Sequence, residues 1–423
     1  MKRVLAVLAV AVLAALALVW FLNIRGEDKV SSAPPAAAPA AQQVARGAYL
    51  ATVGNCAGCH TARGAVAYAG GRGIETPFGI LYSTNLTPDR ETGIGNWSAD
   101  HFWRALHNGR SRDGRLLYPA FPYPNYTAVT RADSDALFDF LRSQAPVRQA
   151  AKPHELGWPF SSQAALAIWR ALYFRPGSHV ADVGQSADWN RGAYLVEGLG
   201  HCSACHTQRN ALGASSDMLD LSGGLIPMQN WYAPSLTSPA EAGVSDWPLD
   251  HVVRVMQSGI SPRGTVLGPM ADVVLNSTQH WNAADLRAMA VFLKALPQKA
   301  PEPAFAATAV DAAKAQRGAK LYEQHCAQCH GEQGQGVVNA YPPLAGNRAV
   351  LLQETTNLVQ VVLYGGFPPA TAGNPRPFGM PPYVLQLNDS DVAALLTHLR
   401  ASWGNRAAPV SEVDVVRKRG GAQ

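Results

Sequence analysis

All six cysteines of this 423-residue chain lie in three copies of one pattern: CAGCH at 56–60, CSACH at 202–206 and CAQCH at 326–330. Cys56 and Cys59, Cys202 and Cys205, and Cys326 and Cys329 each stand one helical turn apart, and His60, His206 or His330 follows directly. Two thiols at that spacing can form thioethers with the two vinyl groups of a haem, and the adjacent imidazole then reaches the iron from the proximal side. From the composition, about 0.002 such matches are expected by chance. Disulfides are the plainer use of cysteine in an exported chain, and zinc takes Cys-x-x-Cys pairs when two of them converge. Neither needs a histidine after every pair. The pattern therefore predicts three covalently bound haem c groups, with His60, His206 and His330 as proximal iron ligands.

A thioether on the opposite face of the iron favours the metal and raises its potential, so the seven methionines come next. Met270 (LGPMADV) and Met380 (FGMPPY) lie in Gly/Pro-rich loops ahead of a closing helix, where a distal ligand belongs. Met256 and Met289 fall in helical patterns and read as core, while Met218 and Met228 have no assigned role. No methionine lies between residues 2 and 217, and no lysine between Lys29 and Lys152. In the first copy the matching stretch is YPAFPY (118–123), with Phe121 in the methionine's place. The leading expectation is a first iron without a strong protein sixth ligand, shielded by Phe121. His107, in WSADHFWRALHNG (97–109), is the second candidate for that position. His101 corresponds to His251 in the second copy and reads as surface or packing.

The elements that must position these groups also repeat. RGAYL (46–50), RGAYL (191–195) and RGAKLY (317–322) lead into the three motifs. Amphipathic helices are predicted near the end of each copy, at 133–143, 284–296 and 389–402, with Asp or Ser near each start. A leading helix running into the haem motif, with a closing helix packed on it, is the pattern of a class I cytochrome c domain. GEQGQG (331–336) follows a haem motif, no strand precedes it, and it reads as a turn rather than a nucleotide loop. The fold expected is all-α: three tandem class I cytochrome c domains after an N-terminal hydrophobic helix. The boundaries are 42–150, 186–300 and 312–404, with a linker containing one helix at 151–185 and a tail at 405–423.

Residues 1–29 read as a membrane anchor or a signal peptide. Lys2 and Arg3 precede a 19-residue apolar run, Val4 to Leu22, close to the roughly 20 residues that cross a bilayer. An uncleaved anchor on 4–22 is the favoured form, and the basic start sets the first residues on the cytoplasmic side. A Pro/Ala-rich linker follows at 30–41. Charged residues make up 15% and hydrophobic residues 47% of the chain, which excludes disorder as its general state. The net charge of +5 forms no basic stripe that would bind nucleic acid.

With TPFGILYSTNLTPD (76–89), LGPMADVVLNSTQHW (267–281), YPPLAGN (341–347), NPRPFGMPPY (374–383) and SWGN (402–405), nearly all of residues 42–417 resembles a known family. It is that of the triheme cytochrome c subunits of membrane-bound bacterial dehydrogenases acting on alcohols, gluconate, sorbitol, aldehydes and nicotinate. The resemblance implies an electron-transfer subunit on the periplasmic side of the inner membrane of a Gram-negative bacterium. Its implied partners are a catalytic subunit using PQQ, flavin or molybdenum, and ubiquinone or a terminal oxidase as acceptor. In that family the first haem typically takes its methionine from a PAMPY-like motif, so Phe121 is a departure. Apart from the haem motifs nothing reads as catalytic: no dinucleotide fingerprint, nucleophile elbow or metalloprotease motif is present. A peroxidase built on an open first haem, a terminal-oxidase cytochrome subunit and a free electron shuttle are the alternatives. The segment SSQAALAIWRALYF (161–174) reads as a helix that packs its own domains together or meets the catalytic subunit or the membrane.

Overall fold

The computed structural model describes residues 1–25, 27, 29–31, 40–215, 220–299 and 311–419. Most of the Pro/Ala-rich linker and Met218 lie outside the described residues. The described residues of Met1–Val183, Tyr194–Ala204 and Arg209–Met218 make one compact unit, and those of Gly184–Ala193, Cys205–Gln208 and Leu219–Gln423 a second.

The first unit contains α1 (Lys2–Ile24), α2 (Ala41–Val53), α3 (Cys56–His60), α4 (Ala99–Asn108), α5 (Tyr123–Tyr126), α6 (Arg131–Arg142) and α7 (Gln163–Tyr173). α1 has no charge between Arg3 and Arg25 and a mean hydropathy of 2.9, and its side chains stay exposed along nearly its whole length. Length and composition suit it to cross a bilayer. α7 packs against it. Phe174, just after α7, is only 4% exposed, and the Trp169 indole donates to the Leu212 carbonyl at 3.0 Å. One side of the helix predicted at 161–174 therefore packs within its own unit.

The second unit holds α8 (Ala187–Tyr194), except its last residue, then α9 (Ser203–His206) from Cys205 on, α10 (Leu249–Ser258), α11 (Pro269–Asn276) and α12 (Ala283–Ala295). It continues with α13 (Ala312–His325), α14 (Ala327–His330), α15 (Arg348–Leu351), α16 (Thr356–Tyr364), α17 (Asp389–Ala401) and α18 (Glu412–Arg419). Met289 is 1% exposed in α12, as a core residue should be, whereas Met256 on α10 is half-buried. Among the described residues three small antiparallel sheets join the helices: 73–76 with 79–82 and 155–156, 224–226 with 231–233, and 260–261 with 264–265. They lie in the Gly/Pro-rich stretches and add to the helical architecture expected from sequence.

One helix crossing occurs three times. α6, α12 and α17 start alike: the side chains of Thr130, Asn282 and Asn388 accept from the N–H three residues on, which belongs to Asp133, Asp285 or Asp391. A carboxylate there suits the positive helix end. Each carboxylate also accepts from an arginine of the leading helix: Arg46 Nε at 2.8 Å, Arg191 Nε at 2.7 Å and Arg317 Nε at 2.7 Å. The next residue is glycine each time, because the helices leave no room for a side chain. A Cβ on Gly47, Gly192 or Gly318 would lie 1.9, 2.1 or 2.3 Å from the carbonyl oxygen of Ala136, Ala288 or Ala394. The Arg-Gly of RGAYL and RGAKLY is thus one ion pair and one close backbone approach, used three times.

Candidate haem sites

The leading helices end just before the Cys-x-x-Cys-His segments. α3, α9 and α14 are the short helical turns that carry the histidines. Gly331, Gly334 and Gly336 all have positive φ, so GEQGQG is the turn after the third motif. Burial shifts the first-motif thiol of Cys56 up to about 12 and the Cys326 thiol up to about 11. Among the described residues no three His, Cys, Asp or Glu side chains converge to hold a metal ion between them.

Each proximal-candidate imidazole is held by a backbone carbonyl. His60 Nδ1 donates to Thr84 O at 2.8 Å, His206 Nδ1 to Pro234 O at 2.7 Å and His330 Nδ1 to Pro342 O at 3.0 Å. A carbonyl can only accept, so Nδ1 carries the proton and Nε2 keeps its lone pair. Burial lowers the pKa of all three histidines, which favours the neutral form that binds iron. A fixed tautomer with a free Nε2 is the arrangement of a metal-ligating histidine. The residues present therefore fit a covalent haem at each motif.

In the third copy the Met380 loop is seated on the same core as its motif. Met380 packs on the cluster that includes Cys326, Tyr322 and Leu396. Met380 N donates to Gly366 O at 2.8 Å, and Tyr383 Oη to His325 O at 2.7 Å. Phe378 meets Tyr341 with ring centroids 5.2 Å apart, and Tyr341 lies 6.4 Å from the His330 ring. In the second copy Met270 is the second residue of α11. Gly268, at φ 57°, sits so close to the Trp231 indole that a Cβ would lie 2.7 Å from it. Trp231 stands three residues before Pro234, the acceptor for His206, so the turn ahead of Met270 packs on the strand that leads to that carbonyl.

The first copy differs where the sequence does. Tyr123 is fully buried against Gly109 and holds PAFPY in place, and the half-buried Phe121 meets Tyr126 edge to face at 5.3 Å. Burial pushes the Tyr126 phenol well above its usual range. Phe121 thus packs on Tyr126, and its ring has no lone pair for an iron. His107 is buried at the end of α4, stacked on Trp103 at 4.4 Å, with Nδ1 3.4 Å from Thr127 Oγ1. His101 closes a capping box with Ser98 at the start of α4, which gives it a structural role.

Sequence reasoning missed the tyrosines that line these sites. Tyr68 and Tyr126 lie beside Cys56, and Tyr322 and Tyr383 beside Cys326, their phenols all shifted up chiefly by burial. It also missed the three carbonyls. The available signal was the local likeness of STNLT (83–87) to APSLT (233–237), which places Thr84 and Pro234 at matching positions.

A family model for cytochrome c matches residues 44–145 and 315–403. The chain is 38% identical over 392 residues to the cytochrome c subunit of an alcohol dehydrogenase (quinone) from Gluconobacter oxydans, a match that covers 89% of this chain and 82% of that protein. It is 37% identical over 398 residues to the gluconate 2-dehydrogenase cytochrome c subunit of Pantoea cypripedii, covering 89% of each. To the fructose dehydrogenase cytochrome subunit of Gluconobacter japonicus it is 33% identical over 429 residues, 95% of this chain and 87% of that protein.

Proposed function

Because this chain belongs to the family of cytochrome c subunits of bacterial dehydrogenases, we propose that it is a triheme electron-transfer subunit. In this reading it takes electrons from a separate catalytic dehydrogenase subunit and passes them to ubiquinone or a terminal oxidase. Haem c supplies a one-electron iron couple when bound. The chain's own residues attach it, orient it and set its surroundings. Cys56 and Cys59, Cys202 and Cys205, and Cys326 and Cys329 would form the thioethers. His60, His206 and His330 would present Nε2 to iron, and Met270 and Met380 would close the second and third sites with sulfur. Phe121 covers the first site without ligating it.

The observation that carries this reading is the triple set of Nδ1–H to carbonyl bonds, one per motif, in a chain whose helix crossing also repeats three times. That repetition supports three cytochrome c domains near 42–150, 186–300 and 312–404. The second lies outside both stretches that the cytochrome c family model matches. Its support is the Arg191–Asp285 pair, the Gly192 contact and the His206 tether. The 19-residue apolar run of α1, Val4 to Leu22, supports attachment to the membrane, with the haem-bearing part on the periplasmic side.

The test is a pull-down from membranes with a tagged chain, followed by addition of candidate substrates. A co-purifying dehydrogenase subunit whose substrate reduces the haem bands, with reoxidation by a ubiquinone analogue, is expected. Haems that no co-purifying dehydrogenase reduces would overturn the assignment.

A further inference from the structure

Asn23, in the last turn of α1, is 6% exposed, unlike the bare apolar residues before it. Its carboxamide donates to Val19 O at 2.8 Å and to Ala167 O of α7 at 2.9 Å, and accepts from Arg170 Nε at 3.0 Å. Its carbonyl accepts from Arg110 at 2.9 Å, and Arg110 also pairs with Glu27. Arg25 donates to Phe174 O at 3.3 Å. Arg170 is 3% exposed, and its guanidinium lies over the rings of Tyr123 (5.2 Å) and Phe174 (4.7 Å). Loss of the Asn23 oxygen would leave the buried Arg170 Nε without this acceptor, which is unfavourable. A leader that is clipped off after its apolar run has no reason to supply that oxygen.

The outer side of α7 is the second observation. Arg170, the helix's one charged residue, points inward. Ala164, Ile168 and Leu172 face out beyond the exposed Gln163 at the helix start, with Ile168 53% and Leu172 56% exposed. An uncharged outer face is unusual on a soluble helix. The Asn23–Ala167 bond sets α7 level with the last turn of α1. The 19 apolar residues before that turn span about 28 Å as a helix, close to the hydrocarbon thickness of a bilayer. In a bilayer crossed by α1, the boundary between headgroups and acyl chains would fall at the level of α7.

We propose that α1 is retained in the mature protein, locked to the first unit through Asn23 and Arg170, and that the apolar outer face of α7 rests on the bilayer beside it. The proposal builds on the reading of α1 as a membrane anchor. It further ties that anchor, through Arg170 and Tyr123, to the loop that carries Phe121.

The test uses the full-length holoprotein, purified without other subunits and placed in lipid nanodiscs. The intact mass should include residues 1–25. Hydroxyl-radical footprinting then compares Ile168 and Leu172 with Val66 (58% exposed) and Val180 (85% exposed) on the same unit. Lipid cover predicts labelling of Ile168 and Leu172 at least roughly fivefold below the two valines. Equal labelling, or a mature N-terminus beyond residue 25, would overturn the proposal. Neither result bears on whether a dehydrogenase reduces the haems, so the electron-transfer reading stands or falls separately.

Discussion

Gly192→Ala adds one carbon at the crossing of α8 and α12. That carbon would sit 2.1 Å from the Ala288 carbonyl oxygen and 2.6 Å from Phe292 Cβ. Ordinary contacts of this kind lie near ~3.5 Å, so the helices must separate by roughly 1 Å or more. The obstacle is a backbone carbonyl inside a helix and cannot rotate away. Separation would also loosen the Arg191–Asp285 pair and the Trp189–Phe292 ring contact at 5.1 Å. Against this, alanine gains about 1 kcal/mol over glycine in helix propensity. Overpacking typically costs about 1–3 kcal/mol, and a rigid obstacle belongs at or beyond the upper end. The net expectation is a loss of about 2 kcal/mol, read as a fall of roughly 5–15 °C in the thermal transition of the holoprotein. Gly177→Ala is the control: nothing lies within 4 Å of its Cβ position and its φ is not positive, so the change should be neutral or stabilising by up to about 1 kcal/mol. If Gly192→Ala leaves the transition where it was, or raises it as the control does, the second crossing is not tight and the argument for a second cytochrome c domain loses its main support.

Met380→Ala and Met270→Ala should each convert one low-spin haem to a high-spin, carbon-monoxide-binding form and lower its potential, as optical and potentiometric titration would show. The unaltered protein should already have one haem that binds carbon monoxide, and Phe121→Met should abolish that binding; an unaltered protein inert to carbon monoxide would point to another side chain, His107 first, on the first iron. Burial lifts the Glu197 carboxyl from 4.5 to about 7, so the folded state holds a proton that the unfolded state has released. That contribution is full below about pH 4.5 and is lost as pH rises through about 7. His179, 4.0 Å from Glu197, has its pKa lowered by burial and works in the opposite sense below pH 6.5. Between about pH 6.5 and 8, Glu197→Gln should therefore flatten the decline in thermal stability, and an unchanged slope would refute the assignment.

The haem chemistry was legible in sequence because it is local: a five-residue pattern carries both thiols and the imidazole. The closing helices were legible for the same reason, and their observed ends fall within about two residues of those expected. Arg46, Arg191 and Arg317 could be seen to repeat, but their partners Asp133, Asp285 and Asp391 lie 74 to 94 residues away, and no local periodicity encodes such a pairing. Thr84, Pro234 and Pro342 contribute backbone carbonyls, which any residue type could supply, so composition is silent about them. Asn23 directly follows the apolar run, and nothing local marks it as a contact residue. Its role depends on Arg170, 147 residues on. The helix around Trp169 and Phe174 was foreseen, but its bulky residues proved to be largely the inner face, and the free face is the plainer Ile168 and Leu172.

The most direct test of the account is the number of covalently attached haems, read from the denatured intact mass of the purified full chain and from the peptides that carry each motif. The account predicts three, one each on the peptides of Cys56 and Cys59, Cys202 and Cys205, and Cys326 and Cys329. A chain with fewer, or with bare thiols at Cys202 and Cys205, would contradict the triheme relay.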